Sequence, residues 1–139
     1  MNHSFQPHGE FKVRLDGRII ISEVAGPWNK ELVDQWAAEL YVLARQLTAS
    51  GPHVGIAVIR GSMLCPPDAF QTMRRAITYA IAKLQCVGSL IVADAGVEGR
   101  ALMQAAYEQQ YGDAAAPRLF YDLDSARTWA LRLLAEQGY

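Results

Sequence analysis

The chain predicts an α/β fold: a mixed five-stranded sheet with an N-terminal antiparallel hairpin, then largely parallel strands, and helices packed on both faces. Three observations carry this expectation. The apolar period changes from two over residues 11–16 to between three and four over residues 30–47. "VGIAVIR" and "VGSLIVADA" are near-continuous apolar runs of strand length, as expected of strands covered on both faces. Helical stretches separate these runs, which gives the order β-β-α-β-α-β-α-β-α and a parallel arrangement.

The elements follow in order. Residues 1–9 are polar and read as a flexible lead-in, and residues 10–139 as one domain. "FKVRLDGRIIISEVAG" gives two strands about Asp16-Gly17, where glycine supplies the positive φ of a tight hairpin turn. Phe11, Val13 and Leu15 alternate with charged residues, so the first strand has a wet face. Leu32, Trp36, Leu40, Ala44 and Leu47 then form a helical stripe widened by Val33 and Ala37, with Asn29 as N-cap and Gly51-Pro52 as terminator. After "VGIAVIR" a second helix places Phe70, Met73, Ile77, Ala80 and Leu84 on one side. A third, over about residues 98–110, offers Leu102, Ala105 and Ala106 as its apolar side, and Gly112 closes it. "RLFY" is a short strand. The last helix turns Ala126, Trp129, Ala130, Leu133 and Leu134 inward and carries acids at its N-terminal end, where they favour the helix dipole.

Composition narrows the function classes. A chain of 139 residues builds a core without metal or disulfide staples. The net charge of −1, with no clustered Lys/Arg beyond Arg74-Arg75, argues against nucleic acid as a partner. No apolar run reaches the length of a membrane span and the first ten residues lack a signal-peptide core, so a cytoplasmic location without membrane insertion is expected. Cys65 and Cys86 are too few and too isolated for a disulfide framework or a zinc site, and Cys86 reads as a small buried thiol. No metal or cofactor motif is present: "GSMLCPP" lacks the glycines and lysine of a phosphate loop, and no G-x-G-x-x-G follows a strand.

The sequence resembles the SpoIIAA-like group of the STAS (anti-sigma-factor antagonist-like, STAS/SEC14-like) domain family over about residues 11–136. The resemblance is carried by "GRIIISEVAGPWN", the long helix after it, "GIAVIRG" with "CPPDAFQTM", "SLIVADA" and "FYDLDSARTWA". It implies a non-enzymatic binding or regulatory protein that acts by contact with a protein partner or a second copy of itself. The SEC14-like label implies the alternative of a module for an apolar or amphipathic small ligand. Partner-switching members carry a phosphorylated serine in an Asp-Ser-Ser-Gly motif where this chain has "MLCPPDAF", so the phosphoserine switch is not carried over; Ser62 and Thr72 lie nearby without matching it.

Four residues are candidates for a ligand or redox site. Cys65 precedes a helix start opened by Pro66-Pro67, where a thiolate is stabilised and its pKa lowered. Nucleophilic chemistry would also need a base, and His53, in the turn before the adjacent strand, is the histidine outside the lead-in. Asp68 lies in the first helical turn. Asp94 and Glu98 bracket "DAGVEGR" after the third apolar run, where strand ends open toward ligand crevices; they fit an acid/base pair or a cation, or simple capping. An enzyme built on Cys65 or the Asp94/Glu98 loop is the remaining alternative. Trp36 and Trp129 fall on apolar stripes and are expected in the core. Trp28, beside Pro27, and the helical Tyr41, Tyr79 and Tyr107 are the candidate pocket or interface residues.

Overall fold

The computed structural model describes residues 6–110 and 119–139, the side chains of 108–110 excepted. The elements are β1 (Glu10–Asp16), β2 (Ile19–Ala25), α1 (Lys30–Thr48), β3 (His53–Arg60), α2 (Pro67–Lys83), β4 (Cys86–Val92), α3 (Arg100–Gln110), β5 (Leu119–Phe120) and α4 (Leu123–Glu136). They form one five-stranded sheet in the order β1-β2-β3-β4-β5. β1 is antiparallel to β2 and every later pairing is parallel. The mixed sheet expected from the sequence is therefore the one found.

Local signals account for the boundaries. Asp16 pairs with Ile19 across the loop Gly17-Arg18, and Gly17 takes φ 60°, the left-handed value a two-residue hairpin needs at one or both loop positions. Asn29 caps α1 by accepting from the Leu32 N–H at 3.1 Å. The same carboxamide accepts from the His8 N–H and donates to the Gln6 carbonyl, so residues 6–9, part of the polar lead-in, are tied to the start of α1. Pro67 opens α2, where a missing N–H leaves no hydrogen bond unmade. Asp122 caps α4 by accepting from the Ser125 N–H and hydroxyl, bonds that hold its carboxyl below the usual range.

The crossovers out of β2, β3 and β4 all step the same way along the sheet. With the usual right-handed connection they place α1, α2 and α3 on one face, and α4 returns over the other. The buried clusters follow this division. Val24, Trp28, Leu32, Val33, Trp36, Ile59, Met73, Ile91 and Tyr107 pack together on the first face. Ile19, Ile21, Val54, Ile56, Leu90 and Val92 meet Ala126, Ala130 and Leu134 of α4 on the second.

Two readings of side-chain direction need correction. The apolar side of α3 is not Leu102 and Ala105, which are exposed; Met103 and Tyr107, one turn apart, face inward. Alanines lie on both sides of this short helix and gave its phase no contrast, whereas the large Tyr107 ring fills the space beside Phe70. Leu15, at the end of edge strand β1, is exposed although Phe11 and Val13 pack against the core. Gly112, expected to close α3, and Arg118 of "RLFY" lie outside the described residues.

Candidate functional site

The C-terminal ends of β2, β3 and β4 bring three of the candidates together. Gly26 donates its N–H to the Arg60 carbonyl, and a Cβ on Gly26 would overlap the Ser62 carbonyl, so the two strand ends close only around glycine. The following turn drives Trp28 inward. It is 1% exposed, and it lies in the core rather than at a pocket rim or interface. Tyr107, at 0%, is likewise not a surface residue, but it does line the inner of the two cavities described below. Its ring meets Phe70 edge-on at 5.5 Å.

The Cys65 thiol packs close to Trp28 and Tyr107, whose indole N–H and phenol O–H favour its ionised form. Burial outweighs these two donors and pushes the thiol up to about 11, opposite to the lowering expected from its place before α2. His53 is the first residue of β3, whereas Cys65 follows the last, so the strand's full length separates them and no Cys-His pair forms. At pH 8 such a thiol is ionised to roughly one part in a thousand. Alkylation by iodoacetamide is therefore expected to be at least about 100-fold slower at Cys65 than at an exposed cysteine, and to accelerate up to about pH 11. Equal rates at pH 8 would contradict the burial. The sign for stability follows: the contribution of the protonated thiol is present below its unfolded value and is lost as pH rises through the folded one.

The three carboxylates hold the backbone. Asp68 accepts from the Ala69 N–H at 2.8 Å within the first turn of α2. Asp94 accepts from the Gly96 N–H at 2.8 Å and closes its own turn. Glu98 takes the Ser62 hydroxyl at 2.8 Å, while its main chain bonds Gly61 and Met63. The loops after β3 and β4 are stitched together by these bonds, and Asp94 and Glu98 serve different partners. Ser62 is buried and its oxygen also accepts from the Leu64 N–H, so a phosphate there would face the Glu98 carboxylate. No group of three or more His, Cys, Asp or Glu that could hold a metal ion occurs among the described residues.

A second feature, apolar, lies between the sheet and helices α1 and α2. On this face the strands present Ile20 and Ser22 of β2, His53, Gly55, Ala57 and Ile59 of β3, and Ser89 and Ile91 of β4. The register places Ile20, Gly55 and Ser89 in one row and Ser22, Ala57 and Ile91 in the next. The floor is therefore low where β3 runs through its centre. Ala37 and Ala44 of α1 and Ala76 and Ala80 of α2 stand above it. Small residues opposing small residues leave space, here two adjoining cavities of about 270 Å³ and about 70 Å³. Leu40 and Ile77 line both, and Trp36 lines the inner one, its indole N–H donating to Ser22 Oγ at 2.9 Å.

Tyr41 and Tyr79 line the larger cavity on its solvent side. They are 39% and 47% exposed, and their rings lie 6.0 Å apart. Of the four aromatic candidates, these two are at the surface. His53 also lines this cavity; it is buried, and it is the first residue of β3 rather than part of the turn before it. The sequence did carry a signal for the cleft. Gly55 and Ala57 alternate on one face of an otherwise Val/Ile strand, and a Cβ built on Gly55 meets nothing within 4 Å.

No family model matches the chain, and no curated protein matches it. Among solved structures, one described as "The overall structure of SLC26A9" aligns with a TM-score of 0.54 at 14% identity, over 83% of this chain and 20% of that one. This chain thus spans a fifth of the length of the protein it resembles, and at this identity the likeness is one of fold. No described helix is long and apolar enough to cross a membrane.

Proposed function

We propose that this chain is a non-catalytic binding and regulatory module of STAS-like fold whose site takes a small apolar or amphipathic molecule between α1, α2 and the sheet. The observation that carries this reading is the cleft of about 270 Å³ lined by Ile20, Ala37, Leu40, Ile77 and Ala80. An apolar cavity of about 150 Å³ already admits benzene, so this one accommodates about ten non-hydrogen atoms. The site supplies contact area and shape, not a nucleophile or an acid/base pair. Calorimetric titration with a series of linear 1-alkanols tests it. Affinity is expected to rise with chain length to about 1-octanol and to fall beyond, as a cavity of fixed size requires. A rise that continues without a break through 1-dodecanol would mean non-specific partition and would overturn the reading.

A second reading concerns the outer face of the same helices. Tyr41, Val42, Tyr79 and Ile81 are exposed there, the kind of surface through which a protein partner or a second copy makes contact. Self-association is the specific form proposed, with Tyr79→Ala weakening it. Sedimentation equilibrium at micromolar concentration that gives a single species near 15.3 kDa would defeat it.

A further inference from the structure

The mouth of the cleft bears on what its occupant carries. Tyr41 of α1 and Tyr79 of α2 line the larger cavity and are themselves open to solvent, so a ligand enters beside them. Each is followed one helical turn later by a cation, Arg45 and Lys83, and both cations are exposed. The Arg45 guanidinium lies 5.7 Å from the centre of the Tyr41 ring, with Nη1 3.5 Å from the Tyr41 hydroxyl. Lys83 lines a surface groove together with Tyr79, Arg74 and Arg75, and that groove contains no acid. α1 has no acid after Glu39 and α2 none after Asp68, and neither Arg45 nor Lys83 joins an ion pair among the described residues. A cation in the last turn of a helix complements its dipole. Two of them, flanking a tyrosine pair at the mouth of an apolar cavity, also give that mouth a positive field that draws anions.

We infer that the occupant is a free medium-chain monocarboxylate, whose alkyl chain runs from the tyrosine pair over Gly55 toward Trp36 while its carboxylate stays at the mouth between Arg45 and Lys83. The head group keeps its contact with water there, so no charge is buried. Ile20, Leu40 and Ile77 line both cavities and give the chain a continuous apolar path. The larger cavity holds about ten non-hydrogen atoms, the size of octanoate and too few for a two-chain lipid. This rests on the reading of the cleft as a small-molecule site and adds the head group to it.

The test compares three probes of equal chain length by calorimetry at neutral pH and low ionic strength: octanoate, 1-octanol and octylammonium. Octanoate is expected to bind about fivefold more tightly than 1-octanol, the effect of two exposed ion pairs, and octylammonium the most weakly. The preference for octanoate is expected to shrink to within about twofold in about 0.5 M salt, where charges are screened beyond about 5 Å. Arg45→Gln combined with Lys83→Gln is expected to erase the preference and leave 1-octanol affinity within about twofold. Both side chains are exposed, so the pair of substitutions removes no core contact. Lys12→Gln combined with Arg132→Gln takes the same charge from β1 and α4 and is expected to keep the preference; its loss there would mean a diffuse net-charge effect and overturn the assignment. Octanol binding as tightly as octanoate to the unmodified protein, or octylammonium binding more tightly, would leave the cleft in place and overturn the head-group assignment. If none of the three binds, the assignment falls together with the cleft reading.

Discussion

Trp28→Ala is expected to destabilise the protein by about 3–5 kcal/mol in urea denaturation, and Trp36→Ala by a similar amount. Trp28 is among the largest fully buried side chains, and it packs in one cluster with Val24, Met63 and Tyr107. Truncation there opens a cavity among strand ends that are already closed around Gly26, so collapse cannot fill it. Trp36 adds a polar loss, because Ser22 Oγ stays buried once the indole N–H is gone. Trp129 is the contrast. It is half-buried at the edge of the α4 cluster, with Phe120 and Arg132 against its ring, and Trp129→Ala is expected to cost only about 1–2 kcal/mol. A loss under about 1 kcal/mol for Trp28→Ala would return that residue to the surface.

Gly55→Val should separate stability from binding. Its Cβ enters open space, its backbone is not in the left-handed region, and it lies in the middle of a central strand. A strand-favouring side chain that buries two methyl groups there should stabilise the fold by about 1–2 kcal/mol. The same methyls occupy the floor of the cleft. Each methyl-sized intrusion into an apolar pocket is worth about 10-fold to 200-fold in affinity, so 1-octanol binding should fall by at least about tenfold. A variant that is more stable yet binds octanol unchanged would place the ligand elsewhere. A variant that is less stable would mean that the space above Gly55 is not open.

The prediction draws on a feature that was only partly legible in the sequence, and the difference is physical. Asp16-Gly17, Asn29 and Pro67 act over a few residues, and each marks an element end without any tertiary contact. Near-continuous apolar runs were enough to indicate strands covered on both faces. The cleft depends instead on register: Gly55 matters because it lies between Ile20 and Ser89, residues far away along the chain. Trp28 beside a proline had the local look of a loop, and its burial is decided by what packs over it. For Cys65 the local effect, a helix start, and the tertiary effect, desolvation, have opposite signs, and the second wins. The pairing of Glu98 with Ser62 likewise joins two loops that no spacing rule connects.

Methyl-detected NMR during titration with 1-octanol tests the central claim most directly. The account predicts saturable shifts confined to methyls that line the cleft, those of Ile20, Ala37, Leu40, Ala76 and Ile77, with Val54, Ala130 and Leu134 under α4 unmoved. Shifts that do not saturate, or that centre on the α4 face, would contradict it.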